Sequence, residues 1–135
     1  MDCLFCKIIS GEIPSSKVYE DDMVYAFKDI NPMAPVHILI VPKQHLSSMN
    51  DISAENSAVV AHIFEVAAKL AKEFGIDESG YRVVSNCGAD AGQTVFHFHM
   101  HLIPRYKGDT VGVGWKPGTL TDEDREEILA LSRQE

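Results

Sequence analysis

The segment Phe96-His97-Phe98-His99-Met100-His101-Leu102-Ile103 constrains the fold of this chain more than any other stretch. Side chains of a β-strand point alternately to its two faces. The alternation therefore predicts a strand over 95–103, closed by Pro104, with Phe96, Phe98, Met100 and Leu102 on one face and His97, His99 and His101 on the other. A strand with one wholly apolar face belongs in a sheet covered by another layer. Shorter strands are expected over 17–20 and 23–28, around the Asp21-Asp22 turn, over 37–41, stopped by Pro42, and over 81–86. Val60, Ile63, Ala67, Leu70 and Phe74 recur at helical spacing, predicting a buried stripe on one long helix. Ser53 is its expected N-cap and Gly75 its C-cap. A loop over 87–93 follows, and Thr121-x-x-Asp124 resembles a capping box opening a short C-terminal helix with Ile128, Leu129 and Leu131 apolar. Strands adjacent in sequence and interrupted by one long helix predict an α+β fold with a largely antiparallel sheet.

A length of 135 residues, 45% hydrophobic, predicts a single domain over 1–135 with a real core. Its apolar runs, such as 38–41, are far shorter than the ~20 residues a membrane helix needs, so no membrane role is expected. Twelve Lys plus Arg against twenty Asp plus Glu give a net charge of −8, which argues against a nucleic-acid-coating protein. Three cysteines without a leader segment point to a reducing, cytoplasmic setting.

A lone histidine is most often a surface or hydrogen-bonded core residue. Here three of the six lie on one stripe. Neighbours on that stripe are ~6.6 Å apart at Cα, close enough for two imidazoles to reach opposite sides of one phosphorus centre. Neutral imidazole is both a metal ligand and a nucleophile, so a catalytic zinc and a nucleophilic histidine both fit. No Asp or Glu adjoins the motif to orient a metal-bound water. Gly92-Gln93-Thr94 instead offers an amide, a hydroxyl and a close-approaching backbone, all partners for phosphate oxygens, which favours phosphoryl chemistry.

His97-Phe98-His99-Met100-His101-Leu102-Ile103 resembles the signature of the histidine triad (HIT) family, and Gly92-Gln93-Thr94 is similar to its Hint, nucleoside phosphoramidase, branch. Phe5-Cys6-Lys7-Ile8-Ile9, Ala26-Phe27-Lys28-Asp29-Ile30, Ala34-Pro35-Val36-His37, Val41-Pro42-Lys43-Gln44-His45, Asn86 and Trp115-Lys116-Pro117-Gly118 extend the resemblance over nearly the whole chain. The resemblance implies a five-stranded antiparallel sheet, a homodimer with a ten-stranded sheet, and hydrolysis of the P–N bond of purine nucleoside 5′-phosphoramidates. It implies that His99 is the nucleophile, His101 a phosphate contact, His37 part of a proton relay, and Thr94 a hydroxyl where many relatives carry serine. Asp29 then matches the ribose contact and Phe5, Ile8 and Ile30 the base-pocket walls. Asn86, Gly92 and Gln93 match further nucleotide contacts. Trp115 is either packing of the tail or a contact reaching the leaving-group side of the partner subunit's substrate. Dinucleoside polyphosphate hydrolysis or nucleotidyl transfer by the same histidine, and a nucleotide- or zinc-binding interaction module, are the alternatives.

Cys3-Leu4-Phe5-Cys6 is either a pair of reduced thiols or half of a tetrahedral zinc site, with His45 as third ligand and a triad histidine, His97, as fourth. Some microbial HIT proteins carry such a zinc and other Hint proteins lack the cysteines. Its expected role is structural, with no cofactor needed for catalysis. Cys87 and His62 are expected to be structural. Arg105 and Lys107, just past the triad, are solvated charge or an attraction for an anionic substrate.

Overall fold

The computed structural model describes residues 3–30, 36–109 and 118–132. Its sheet has the order β1-β2-β3-β5-β4, every pairing antiparallel: β1 (Lys17–Glu20), β2 (Val24–Lys28), β3 (Ile38–Pro42), β5 (Met100–Pro104) and β4 (Tyr81–Val84). All five residues of the central β3 are buried, because both faces of the sheet are covered. On one face, Val24, Ala26, Ile38, Ile40, Met100 and Leu102 pack under the long helix α2 (Ala58–Glu73). On the other, Tyr25, Phe27, Leu39 and Val41 pack under a seven-residue helix, α1 (Leu4–Ser10), through Phe5 and Ile8. Sequence periodicity missed α1, since two buried residues are too few to set a helical period. The Cys3 side chain caps it by accepting the Cys6 N–H, and Gly11, at φ 88°, closes it.

Several expected boundaries move, each for a local reason. The triad strand begins at Met100 rather than at 95. Ile40 faces Met100, so the same register would set Pro42 opposite Phe98, and Pro42 has no N–H for a ladder. The Phe98 N–H bonds the Leu46 carbonyl instead, and the His97 ring donates from Nε2 to the Pro42 carbonyl at 2.8 Å. Pro42 itself still belongs to β3. Ser53 does not cap α2. Its hydroxyl accepts the Glu55 N–H in a separate turn, tied by the Asn56 side chain, and the helix starts at Ala58 after Ser57. The buried stripe is Val59, Ile63, Val66, Ala67, Leu70 and Ala71, rotated from the expected one, with Val60 only partly buried and Phe74 38% exposed. Gly75, at φ 69°, completes a Schellman closure in which its N–H reaches the Lys72 carbonyl and that of Ile76 the Ala71 carbonyl. β2 starts at Val24, and β4 ends at Val84 rather than at 86.

The last helix, α3 (Asp122–Ser132), opens on the expected capping box: the Thr121 hydroxyl accepts the Asp124 N–H at 3.1 Å, and the Asp124 carboxylate accepts the Thr121 N–H. None of its residues is buried, and Ile128, Leu129 and Leu131 are exposed. No helix among the described residues is long and apolar enough to cross a membrane.

Candidate active site

Although residues 97–99 are not paired as a strand, the alternation of faces persists through them. Phe98 joins Met100 and Leu102 beneath α2, while the three histidine rings turn to the α1 side. Only Phe96 departs from the pattern: it is exposed. The Phe5 ring of α1 packs edge-on against both His97 and His99, at 6.0 and 5.0 Å between centroids.

His99 is held from two sides. Its Nδ1 lies 2.7 Å from the His97 carbonyl, which can only accept, so Nδ1 carries the proton and the lone pair stands on Nε2. Its own carbonyl accepts the Ser85 hydroxyl at 2.9 Å. Burial pushes the His99 imidazole below the usual histidine pKa, which keeps it neutral at physiological pH. His101 is driven further, to about 4, by burial and then by the neighbouring His99 and His37 rings. Its Nδ1 is 2.9 Å from Nε2 of His37, and that nitrogen lies 3.5 Å from the Asp29 carboxylate. A proton on His37 Nε2 is favoured by the adjacent carboxylate. His101 Nδ1 then accepts, leaving its own N–H on Nε2 as a donor.

A cavity of about 240 Å³ opens beside these rings. Its apolar part is formed by Leu4, Phe5, Ile8, Phe27 and Leu39, and its polar part by His99, His101, Thr94 and Asp29. Phe5 and Ile8 are buried walls, as expected, whereas Ile30 is an 88% exposed rim residue. Leu4, Phe27 and Leu39 carry no motif of their own and become wall residues only through the packing of α1 on β2 and β3. Asn86, Gly92 and Gln93 stand behind the cavity rather than on its lining. Gln93 is buried: its side chain accepts the Gly88 N–H and donates to the Ser47 and Val95 carbonyls, at 2.8–3.1 Å. The backbone N–H groups of Gly92 and Gln93 bond the Ala89 and Gly88 carbonyls, and Gly92, at φ 101°, lies over the Asn86 side chain. These residues shape the loop that presents Thr94. Trp115 lies outside the described residues. Arg105, expected to be solvated charge or an attraction for an anion, is clasped by Asp109 at 2.8 and 2.9 Å.

The four expected zinc ligands converge. Cys3 Sγ is 3.4 Å from His97 Nδ1, Cys6 Sγ is 3.4 Å from His45 Nδ1 and 3.5 Å from His97 Nδ1, and the two Nδ1 atoms are 3.1 Å apart. Zinc bonds of ~2.3 Å to sulfur and ~2.0–2.1 Å to nitrogen at tetrahedral angles place ligands roughly 3.3–3.8 Å apart. The cluster has nearly those dimensions. With the His97 proton on Nε2, bonded to Pro42, its Nδ1 lone pair points into the cluster, so the donor set fits such an ion. Burial pushes the Cys6 thiol up, and the Cys3 hydrogen bond adds to it. A divalent cation would reverse that by favouring the thiolate. Cys87 lies apart from this cluster and donates to the Ser48 hydroxyl.

A profile of the HIT domain matches residues 10–108. The chain belongs to the HIT family. This HIT protein is 49% identical over 102 residues to the purine nucleoside phosphoramidase of Escherichia coli K12, an alignment covering 76% of this chain and 86% of the relative. A solved HIT family hydrolase from Clostridium thermocellum superposes with a TM-score of 0.77 at 49% identity, covering 85% of this chain and 96% of the other. The histidine triad nucleotide-binding protein of Candida albicans gives 0.83 at 41% identity over 97% and 94% of the two chains.

Proposed function

We propose that this HIT protein hydrolyses the P–N bond of purine nucleoside 5′-phosphoramidates through a nucleotidyl-His99 intermediate. The observation that carries the reading is the His99 Nδ1–H bond to the His97 carbonyl, which fixes the tautomer and leaves Nε2 as the attacking atom. As Nε2 bonds phosphorus, the ring becomes cationic, and the same carbonyl stabilises the proton on Nδ1. The P–N bond then breaks, and the departing amine must take a proton. His101, with its N–H on Nε2 and His37 behind it, and the Thr94 hydroxyl are the donors at the cavity. Water completes the cycle by attacking the nucleotidyl-histidine and giving its proton back to the group that protonated the amine, which releases the nucleotide and restores Nε2. The apolar slot between Phe5, Ile8 and Phe27 suits a flat base, and Asp29 at the rim suits ribose hydroxyls.

Two assembly features accompany this reading. Zinc held by Cys3, Cys6, His45 and His97 would fasten α1, and with it one wall of the slot, to the triad segment. A homodimer would cover the β4 edge and the apolar residues of α3. The deciding experiment compares turnover of adenosine 5′-monophosphoramidate with that of diadenosine polyphosphates, and traps labelled nucleotide on the protein by alkaline quench. Preferential cleavage of the phosphoramidate, with label at His99, is the expected result. Faster cleavage of the polyphosphates would replace this reading with the dinucleotide hydrolase one.

A further inference from the structure

Beside the cavity meet Asp29, His37 and His101, which the proposed chemistry uses for a ribose contact and a proton relay and which are also metal-ligating side chains. Asp29 follows β2, His37 precedes β3, and His101 lies in β5. The registers Lys28 to Ile38 and Ile38 to Leu102 bring the three side by side across adjacent strands. One ligand atom from each lies within 4.8 Å of the others. His37 Nε2 is 2.9 Å from His101 Nδ1 and 3.5 Å from Asp29 Oδ2, and the Asp29 N–H bonds the His37 carbonyl at 2.9 Å, tying two of the three together through the backbone. A cation with bonds of ~2.0–2.2 Å sets neighbouring ligands roughly 2.9–3.5 Å apart, so these spacings already suit one. Two imidazoles and one carboxylate select borderline ions such as Zn²⁺, Ni²⁺ or Cu²⁺ over Mg²⁺ and Ca²⁺, which prefer all-oxygen shells.

We propose that Asp29, His37 and His101 form an inhibitory transition-metal site, in which the ion replaces the proton shared between the two histidines. That proton moves to Nδ1 of His37, so both facing nitrogens present lone pairs to the ion. His101 keeps its N–H on Nε2, but its connection through His37 is closed to protons, and the relay to the leaving group stops. The site lacks thiolates, so it binds more weakly than the Cys3, Cys6, His45 and His97 cluster and fills after it. Inhibition rests on the phosphoramidase reading; metal binding does not.

Zinc is titrated into metal-stripped protein in competition with a chromophoric chelator. Wild type should take up two equivalents of different affinity. His37→Ala and Asp29→Asn should each weaken the second by on the order of 100-fold and leave the first intact. Cys3→Ser with Cys6→Ser should lose the first and keep the second. A single equivalent in wild type, or a second that survives both His37→Ala and Asp29→Asn, overturns the site; should His37→Ala not fold, Asp29→Asn decides alone. Zinc beyond the first equivalent should stop phosphoramidate turnover, with recovery on adding chelator. Undiminished turnover with both equivalents bound overturns the inhibitory role. Absence of phosphoramidate turnover from protein holding only the first equivalent would instead defeat the phosphoramidase reading, with the metal count still deciding the site.

Discussion

His99 shows how one backbone contact converts a buried imidazole into a nucleophile. The His97 carbonyl fixes the proton on Nδ1, and burial holds the ring neutral, so Nε2 needs no base to expose its lone pair. His99→Ala should therefore eliminate the acid-labile, base-stable label and lower turnover by on the order of 10⁴-fold or more, while nucleotide affinity measured by calorimetry persists. Wild-type labelling of the variant would assign the nucleophile elsewhere. Thr94 lines the cavity, and Thr94→Ala should reduce kcat/KM by roughly 10²-fold and Thr94→Ser restore most of it, because the proposed chemistry calls on the hydroxyl and not the methyl. Equal activity of Thr94→Ala and wild type would remove Thr94 from the mechanism. The histidines and cysteines were legible in the sequence because their chemistry is scarce and their spacing periodic. Gln93 was not. Its amide looks like a phosphate partner in sequence, and only the Gly88, Ser47 and Val95 contacts reveal a loop staple.

At the scale of elements, α1 links the two clusters. Cys3 caps it and Cys6 lies within it, while Phe5 and Ile8 from the same helix wall the cavity. Cys6→Ser should abolish tight zinc binding, lower the melting temperature by roughly 10 °C, and raise KM for the phosphoramidate more than it lowers kcat. An unaltered melting temperature would remove the proposed fastening role. On the other face, α2 is clamped to the β1–β2 turn by His62 against Asp21. The hydrogen bond to Asp21 raises the His62 pKa. Partial burial pushes the Asp21 carboxyl up, but bonds from His62, Tyr19 and the Met23 and Val24 N–H groups outweigh it and hold the acid well below its usual range. The His62 contribution is complete below the unfolded-state pKa of ~6.5 and fades as pH rises through the higher folded value; that of Asp21 is complete above ~3.9 and is lost in stronger acid. His62→Gln should thus cost about 0.5–1 kcal/mol in urea unfolding at pH 5.5 and less at pH 9. A pH-independent difference would show that the ion pair contributes nothing. The strands and α2 were legible from periodicity, but their ends were not, because Pro42 acts across the sheet and the Ser53 turn, bonded through its own side chains, competes with the first turn of α2.

For the whole molecule, the question is what covers the surfaces the fold leaves open. β4 lies at one end of the strand order and pairs with β5 among the described strands, which makes its outer edge a place where a second sheet could add. α3 buries none of its residues, although Ile128 is apolar and 55% exposed, Leu131 60%, and Leu129 lies between them. A helix that gives nothing to its own core should add little to the stability of the subunit, and an assembly would give its apolar side chains burial. The exposed leucines could not be told from core in the sequence, because a capping box followed by apolar residues describes a core helix and an interface helix equally well. We expect a two-fold dimer in which the β4 edges meet and α3 contributes contact. Deleting residues 119–135 should leave the denaturation midpoint of the subunit within about 0.5 kcal/mol of the full chain, since no core is lost. The same deletion should weaken dimerisation measured by sedimentation equilibrium. A full-length monomer at micromolar concentration would sink the dimer. A large fall in subunit stability on deletion, with association unchanged, would return α3 to the core of its own chain.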